Sequence, residues 1–344
     1  MVDVTVRGAG IFGLSIAWVC AERGARVQVI DPFGPGAGSS GGVVGALAPH
    51  VPENWNSKKA FQLDSLLRAE SFWSAVEATA GTSPGYLRSG RLQPIADERA
   101  LELAHGRAES ARHLWADQAR WDVVSVETAG TWAPPSPTGW FIKDTLSALL
   151  HPRQAITALV QALARRGVPI HKEAEDKGAI LWATGVAGLQ ALNAEHHRTV
   201  GGGVKGQAAV FDYNAAGAPQ LFVDGLHIIP HADGTVAVGS TSEREYAAAD
   251  TTDTQLDALI DKARAYLPLL RDAQVVARWA GVRPRARSRA PMLGPWPGRP
   301  GHYIANGGFK IGFGMAPGVA EVMADLLLDG HDRRPEGFEV EASF

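Results

Sequence analysis

The feature that most constrains the fold is a glycine-rich turn, Gly-Ala-Gly-Ile-Phe-Gly, at residues 8–13. Apolar and polar residues alternate through residues 2–6 before it, which is typical of a β-strand. After it, apolar residues recur at helical spacing through residues 14–21, and a second apolar run at 27–30 ends at Asp31. The order strand, tight turn, helix, strand predicts the βαβ unit of a Rossmann-like α/β domain.

Glycine is needed at each of these three positions for a different physical reason. Gly8 permits the sharp turn, Gly10 lets a pyrophosphate approach the backbone, and Gly13 lets the helix pack closely on the sheet. The helix N-terminus then offers its amides and its positive dipole end to negative charge. Asp31 follows at the spacing where an acidic residue hydrogen-bonds the ribose of the adenosine half. The pattern predicts a dinucleotide site and leaves both NAD and FAD open.

A second glycine-rich segment, residues 36–49, narrows the choice of cofactor. It reads Gly-Ala-Gly-Ser-Ser-Gly-Gly-Val-Val-Gly-Ala-Leu-Ala-Pro, which suits backbone wrapped closely around a ligand better than a helix or strand. With Asp31 before it, the segment resembles the flavin-contacting loop of the D-amino-acid oxidase superfamily. That superfamily includes glycine oxidases, sarcosine oxidases and the oxidase domain of a bifunctional tRNA-modifying enzyme. The resemblance implies FAD, and we expect it to be non-covalent because Cys20, the only cysteine, falls in the first helical pattern.

Three further motifs follow in the order that the family has them. Ala-Thr-Gly ends an apolar run at residues 183–185, Gly-Val-Arg-Pro occupies 281–284, and a turn with four glycines at 306–317 precedes a helix predicted at 318–328. The resemblance implies FAD contacts from Gly8, Gly10, Ile11, Phe12, Gly13, Asp31, Pro32, Ser39, Ser40, Gly45, Ala46, Leu47, Ala183, Thr184, Gly185, Gly307, Gly308, Phe309, Lys310, Ile311 and Gly312.

The same resemblance implies the fold class and the domain organisation. We expect an α/β chain in which a Rossmann-like FAD-binding domain is interleaved with an antiparallel-sheet (α+β) substrate domain. The FAD-binding domain is predicted from residues 1–84, 148–200 and 291–344, and the substrate-binding domain from 85–147 and 201–290. One segment departs from the family: residues 168–178 are too short for the small antiparallel meander that helps relatives hold adenine.

Arg283 is the first candidate for the substrate-binding side chain. The family places the arginine of Gly-x-Arg-Pro over the flavin, and a planar guanidinium can make two parallel charged hydrogen bonds to a carboxylate. A surface ion pair is the alternative, because four other arginines lie nearby in the sequence.

Lys310 and His227 are the other two candidates for the reaction site. Lys310 stands in the last glycine-rich turn, where it is placed to contact the substrate carboxylate or the flavin, with a solvated lysine as the alternative. His227 lies on a predicted strand where glycine oxidases tend to have a tyrosine. It is a candidate hydrogen-bonding partner or proton acceptor for the substrate, and packing within the sheet is the alternative.

The resemblance implies an enzyme that oxidises the C–N bond of a small amino acid, such as glycine, an N-alkylglycine or a D-amino acid. In such enzymes a hydride passes to flavin N5 and the resulting imine hydrolyses. The sequence leaves open whether oxygen, a quinone or an electron-transfer protein then reoxidises the flavin. Two alternatives remain: oxidation of a carboxymethylaminomethyl group on a tRNA wobble uridine, and a flavin-binding protein without turnover.

Composition argues against several other classes of protein. With 33 basic and 36 acidic residues the net charge is -3, so there is no overall basic field for nucleic acid, and tRNA stays only as the runner-up substrate. No apolar run reaches the roughly 18 residues of a membrane span, and the strand-like start does not resemble a signal peptide. A cytoplasmic protein is therefore expected. Apart from His227, the histidines show no metal spacing such as His-x-x-x-His, so the sequence predicts no metal site, and it leaves the oligomeric state open.

Overall fold

The computed structural model describes residues 2–344. Over this range the α-helices are α1 Ile11–Glu22, α2 Ser57–Ala80, α3 Glu98–Leu114, α4 Val126–Ala129, α5 Pro152–Arg165, α6 Gly185–His196, α7 Thr254–Tyr266 and α8 Gly312–Ala324. The strands are β1 Val4–Arg7, β2 Val27–Ile30, β3 Ala46–Leu47, β4 Arg91–Pro94, β5 Trp121–Ser125, β6 Trp140–Asp144, β7 Ala148–Leu149, β8 Ile170–His171, β9 Ala179–Trp182, β10 Gly201–Asp212, β11 Gln220–Val223, β12 Leu226–Pro230, β13 Thr235–Gly239, β14 Val275–Ala286, β15 Met292–Pro295 and β16 His302–Asn306.

The first sheet is mostly parallel and has the strand order β15-β16-β9-β1-β2-β8. Strand β1 lies between β2 and β9, and all three run in the same direction. Helices α1, α2, α5 and α8 pack against one another as a layer. Helix α1 is apolar and buried along almost its whole length, because it packs both within this layer and on the sheet. Consecutive parallel strands joined through helices bring the loops at their carboxyl ends to one edge.

The second sheet has eight strands in the order β14-β10-β13-β12-β11-β4-β6-β5. Its pairs are antiparallel except for β11 with β4. The buried side chains of α7, Leu256, Ile260 and Ala263, join the core beneath this sheet. The expected combination of a Rossmann-like sheet with an antiparallel sheet is confirmed. The exact domain boundaries given above stay a prediction.

The last long helix begins earlier than the sequence predicts. Helix α8 starts at Gly312, so Pro317 lies inside it, whereas the prediction placed the start at Gly318. Proline has no N–H to donate and normally disrupts a helix interior. Here Ser65 of α2 reaches in: its Oγ accepts a hydrogen bond from the Gly318 N–H at 3.0 Å and donates to the Gly314 carbonyl at 2.8 Å. A neighbouring helix therefore supplies the polar contacts that let α8 continue through the proline.

The short segment 168–178 forms part of the first sheet instead of a meander. Residues Ile170–His171 form β8, which pairs in parallel with β2 at the edge of the sheet. The His171 carbonyl accepts a hydrogen bond from the Asp31 N–H at 2.9 Å, so the segment supports the end of β2. Within residues 2–344, no helix is both long enough and apolar enough to cross a membrane.

Candidate functional site

A cavity of about 870 Å³ lies between the two sheets. On one side it is lined by residues that follow β1, β2 and β9, and on the other by residues 279–284 of β14. The loops at the carboxyl ends of parallel strands are the usual ligand site of an open α/β sheet. A volume of this size is within the range of cofactor pockets.

The glycine-rich turn after β1 brings the N-terminus of α1 to this cavity. Gly8 has φ +108°, and a β-carbon there would overlap the Ala183 carbonyl, while one at Gly13 would overlap the Gly8 carbonyl. Helix α1 has no side-chain cap at Gly10 and no acidic residue in its first turn. A helix N-terminus that faces a cavity and whose cap residue has no side chain is suited to a phosphate group.

Asp31 holds the turn together from the end of β2. Its Oδ2 accepts a hydrogen bond from the Ala9 N–H at 2.7 Å, and its Oδ1 accepts from the Phe33 N–H at 2.9 Å. Each carboxylate oxygen has a further lone pair. Asp31 lines the cavity, so those lone pairs are available for a ribose hydroxyl.

The second glycine-rich segment lies beside the turn and forms a further part of the cavity wall. Its Ala46–Leu47 pair forms β3 against β7, and the Gly41 carbonyl accepts a hydrogen bond from Arg153 Nε at 2.9 Å. Ser40 Oγ accepts from the Ile11 N–H at 3.0 Å, which joins the segment to the start of α1. The segment is therefore fixed at its outer edge by α5 and at its inner edge by α1.

The last glycine-rich turn brings a second helix N-terminus to the cavity. Helix α8 has no side-chain cap at Ile311 and no acidic residue in its first turn, and Gly312 and Phe313 line the cavity. The Phe309 N–H donates to the Pro284 carbonyl at 3.0 Å, which holds this turn against β14. Two positive helix ends thus face one cavity, an arrangement that fits a ligand carrying negative charge at two places.

Most of the predicted cofactor residues line this cavity. They are Gly8, Gly10, Ile11, Phe12, Asp31, Pro32, Ser39, Ser40, Gly45, Ala46, Ala183, Thr184, Gly185, Gly307, Gly308, Phe309, Lys310 and Gly312. Gly13, Leu47 and Ile311 do not line it. Gly13 packs against the backbone of the turn, Leu47 is buried, and Ile311 is the residue immediately before α8.

Arg283 is buried in the wall of the cavity, with 9% of its surface exposed. Its Nη2 donates to Ser240 Oγ at 2.6 Å and its Nη1 to the Thr241 carbonyl at 3.4 Å. Burial lowers the pKa of Arg283 to about 10, although the charge of Glu243 opposes this. Among residues 2–344, the side chains that Arg283 bonds are neutral, and no carboxylate forms an ion pair with it. Arg283 is therefore a buried cation beside a cavity, not a surface ion-pair residue.

A buried polar network supports the segment that holds Arg283. The Thr241 hydroxyl accepts from the Gln207 N–H at 2.8 Å and donates to Glu243. Gln207 Nε2 donates to Glu243 Oε1 at 3.0 Å, and Glu243 lies 3.7 Å from Lys205 Nζ. Glu243 is thereby occupied by other partners, which leaves the Arg283 charge available to a ligand.

Lys310 and His227 differ in their relation to the cavity. Lys310 lines it, and partial burial, followed by the charges of Arg283 and Arg285, lowers the pKa of its ammonium group. His227 is not part of the lining. It packs on Phe222, with ring centroids 4.7 Å apart, and its buried Nδ1 has no hydrogen-bond partner among the described residues.

The environment of His227 keeps its ring neutral. Burial lowers its pKa to about 3, and the charges of Arg91, Lys310 and Arg283 act in the same direction. A neutral imidazole with so low a pKa is a weak proton acceptor at neutral pH.

Several lining aromatic residues were not predicted as site residues, among them Trp279 and Tyr246. Trp279 lies on the same face of β14 as Gly281 and Arg283, and its ring packs over Gly281 and against Gly42. The alternation of side chains along β14 could have identified Trp279 from the sequence, because residues i, i+2 and i+4 of a strand share one face. Tyr246 lies in the connection between β13 and α7, where no periodic pattern identifies it.

The comparisons with known proteins agree with this site. Residues 3–326 match the family model described as FAD dependent oxidoreductase (DAO). The chain is 28% identical to glycine oxidase from Pseudomonas putida over 97% of this chain and 98% of that protein. It is similar to the crystal structure of glycine oxidase from Geobacillus kaustophilus (TM-score 0.85, 19% identity, 98% of each chain). It is also similar to that of iminodiacetate oxidase from Chelativorans sp. (TM-score 0.85, 20% identity, 98% of each chain).

Proposed function

Because this chain belongs to the FAD dependent oxidoreductase family, we propose that it oxidises the carbon–nitrogen bond of a small amino acid whose carboxylate is bound by Arg283. Membership confirms the superfamily resemblance and the FAD cofactor expected from the sequence. One observation carries the proposal for the substrate: Arg283 is a buried cation in the cavity wall without a carboxylate partner among the described residues. A buried charge is costly unless it is paired, so this position favours a ligand that brings a negative charge.

Arg283 is oriented before the substrate arrives. Two of its five N–H donors are engaged by Ser240 and the Thr241 carbonyl, and the others remain for a ligand. Because neighbouring groups already fix the side chain, less conformational entropy is lost when a carboxylate binds. The fork geometry of the guanidinium then orients the α-carbon of the substrate.

The charges around the cavity also affect the substrate amine. Oxidation of an amine requires its neutral form, since an ammonium group has no lone pair. The cations Arg283 and Lys310 in the lining disfavour a further positive charge and so lower the pKa of a bound amine. The substrate therefore loses its extra proton to solvent more readily, and no dedicated base is required.

The chain offers a consistent set of groups for FAD. The N-terminus of α1 would hold the pyrophosphate, Asp31 the ribose, and the N-terminus of α8 the electron-rich end of the ring system. When bound, FAD supplies the electron acceptor for the oxidation. Cys20, the only cysteine, is fully buried in α1 and burial raises the pKa of its thiol to about 12. A non-covalent cofactor is therefore expected.

A small amino acid is favoured over the wobble uridine of a tRNA. The relative from Pseudomonas putida, matched over nearly its full length, is a glycine oxidase, and a net charge of -3 offers no general attraction to RNA. Glycine, N-alkylglycines and D-amino acids are the substrates we propose. Oxygen, a quinone and an electron-transfer protein remain the proposed acceptors.

An anaerobic screen of flavin bleaching tests this function. Glycine, sarcosine, other N-alkylglycines, D-alanine and proline would each be mixed with the FAD-loaded protein, and the flavin absorbance followed. We expect bleaching by at least one of these acids and little by methylamine or ethylamine, which have no carboxylate. If the protein retains FAD but none of the amino acids bleaches the flavin, the result would support the alternative of a flavin-binding protein without turnover.

A further inference from the structure

A group of three metal-ligating side chains lies outside the cavity, behind the second glycine-rich segment. His151 immediately precedes α5, while His231 and Asp233 lie in the turn between β12 and β13. The two imidazole rings have centroids 4.5 Å apart, and His151 Nε2 lies 3.8 Å from Asp233 Oδ2. One ligand atom from each of the three residues lies within 4.8 Å of the other two. The fold therefore brings together two imidazoles and a carboxylate from distant parts of the chain.

The hydrogen bonds around His231 determine which of its nitrogens is free. Thr235 Oγ1 donates to Asp233 Oδ1 at 2.7 Å and lies 3.1 Å from His231 Nδ1. Since the hydroxyl hydrogen is directed to Asp233, the hydroxyl oxygen accepts from His231 Nδ1–H. The tautomer with a proton on Nδ1 leaves Nε2 with a lone pair that can bind a metal ion, as in metal-binding histidines whose second nitrogen is held by a neighbour.

The free nitrogen of His231 is buried. The residue is only 1% exposed, and Nε2 has no hydrogen-bond partner among the described residues. An unsatisfied polar atom in the interior costs free energy, so its position calls for a ligand.

We propose that His151 Nε2, His231 Nε2 and Asp233 Oδ2 bind one divalent transition-metal ion of the Zn²⁺ class. Two imidazoles and a carboxylate are a common ligand set for such ions, and the exposed side of Asp233 leaves room for a water molecule as the fourth ligand. Ligands of a tetrahedral ion are about 3.4 Å apart, given metal–ligand bonds of about 2.1 Å. The three side chains therefore need to close by about an ångström, through small side-chain rotations of the two histidines and of Asp233.

Metal binding has one local cost. His151 Nδ1 accepts a long hydrogen bond from the Gln154 N–H, at 3.4 Å, as the cap of α5. Coordination through Nε2 moves the ring proton to Nδ1 and removes this weak contact. Gln154 Nε2 already donates to Asp233 Oδ2 at 3.2 Å, so its side chain would orient the carboxylate ligand.

The site connects three parts of the fold. It joins α5 to the β12–β13 hairpin of the eight-stranded sheet, and the His231 ring lies close to the backbone of Val43, which lines the cavity, without the geometry of a hydrogen bond. Next to His151, Arg153 holds the Gly41 carbonyl. A metal ion here would fix the outer side of the segment that surrounds the cofactor cavity, so we expect it to slow the dissociation of FAD.

The test uses the tag-free, FAD-loaded protein, stripped with EDTA and freed of chelator. Titration with ZnCl₂ should show one site, and CoCl₂ should give the strong visible absorption of a tetrahedral ion. His151→Asn keeps a capping side chain at the start of α5 and Asp233→Asn changes an exposed residue, so both variants should fold. Each should weaken Zn²⁺ binding at least about tenfold, as should His231→Gln. The exposed His105→Gln is the matched control and should bind as the parent does.

The Zn²⁺-binding measurements distinguish a metal site from its absence, and they do not depend on turnover of a substrate. Loss of Zn²⁺ binding in His151→Asn and Asp233→Asn, with unchanged FAD content and circular dichroism, would support the site. No stoichiometric Zn²⁺ binding by the parent, or equal affinity in the parent and both variants, would overturn it. Failure of the amino-acid bleaching screen would leave these results unaffected, so this proposal and the proposed function can fail separately.

Discussion

The guanidinium of Arg283 lies directly against the Cα of Gly206 on the neighbouring strand β10. A β-carbon at Gly206 would overlap Cζ and both terminal nitrogens of Arg283. The backbone of Gly206 is not in the left-handed region, so an alanine fits the strand and only the arginine has to move. Gly206 is thus a positioning residue for the side chain that we propose binds the substrate.

Gly206→Ala should impair catalysis without unfolding the protein. We expect kcat/KM for the best amino-acid substrate to fall by about 10-fold to 100-fold, because a displacement of about 1 Å in a binding group has effects of this size. Gly202→Ala on the same strand is the control, since a β-carbon there meets nothing. Steady-state kinetics and FAD content would be measured for both. An unchanged kcat/KM in Gly206→Ala would mean that the position of the guanidinium is not critical.

The contact of Ser65 with α8 predicts an effect on stability. Ser65→Ala would leave the Gly318 N–H without its buried partner beside Pro317. Loss of such a partner should lower the free energy of unfolding by about 1–3 kcal/mol. Ser71→Ala, an exposed position on the same helix, should change it little. Denaturant unfolding would compare the two, and equal stability would show that α8 does not depend on Ser65.

The start of α1 predicts the effect of a larger side chain on cofactor binding. Gly10 lines the cavity, and even a β-carbon there comes 3.2 Å from Ser40 Oγ. Gly10→Val should therefore block the approach of the pyrophosphate and reduce the FAD retained after gel filtration. Gly106→Val, on the exposed helix α3 with open space around it, should retain FAD as the parent does. Full FAD retention by Gly10→Val would show that the pyrophosphate lies elsewhere.

His227 predicts a dependence of stability on pH. Its pKa is about 3 in the folded protein, below the value near 6.5 of an unfolded histidine. Between these values the unfolded chain binds a proton that the folded chain does not, so stability falls as the pH drops from about 6.5 towards 3. His227→Gln removes this contribution. From about pH 7 to about pH 5, the parent should lose about 1–2 kcal/mol more stability than the variant.

Urea unfolding at the two pH values measures this difference. His105→Gln on the exposed surface of α3 serves as the control, since it leaves His227 unchanged. Equal losses in the parent and in His227→Gln would mean that the ring is accessible enough to become protonated in the folded state.

The parts of the site that the sequence predicted are those encoded within short segments. The turn after β1 combines a tight turn, close helix packing and an acidic residue within one βαβ unit, so its pattern identifies it without knowledge of the rest of the fold. Arg283 was predicted from the resemblance of Gly-Val-Arg-Pro to a family segment, which is also a short local motif. Most of the predicted cofactor residues line one cavity for this reason.

The parts that the sequence did not predict depend on contacts between distant segments. Gly206 has a role only because β10 lies beside β14, and α8 extends through Pro317 only because Ser65 of α2 reaches it. His151 and His231 have no metal-like spacing in the chain, and the fold alone brings their rings together. Local periodicity carries no information about these pairs.

Comparison of an amino acid with its decarboxylated amine would show whether Arg283 binds the substrate carboxylate. Loss of one partner of a buried charged pair costs about 2–5 kcal/mol, which is about 30-fold to several-thousand-fold in kcat/KM. Arg283→Ala should lose this much with the amino acid that bleaches the flavin fastest, and little with the matching amine, while FAD stays bound. Arg278→Ala, an exposed arginine on the same strand that pairs with Asp257, is the control. Equal losses on the acid and the amine would contradict the role of Arg283 as the carboxylate-binding residue.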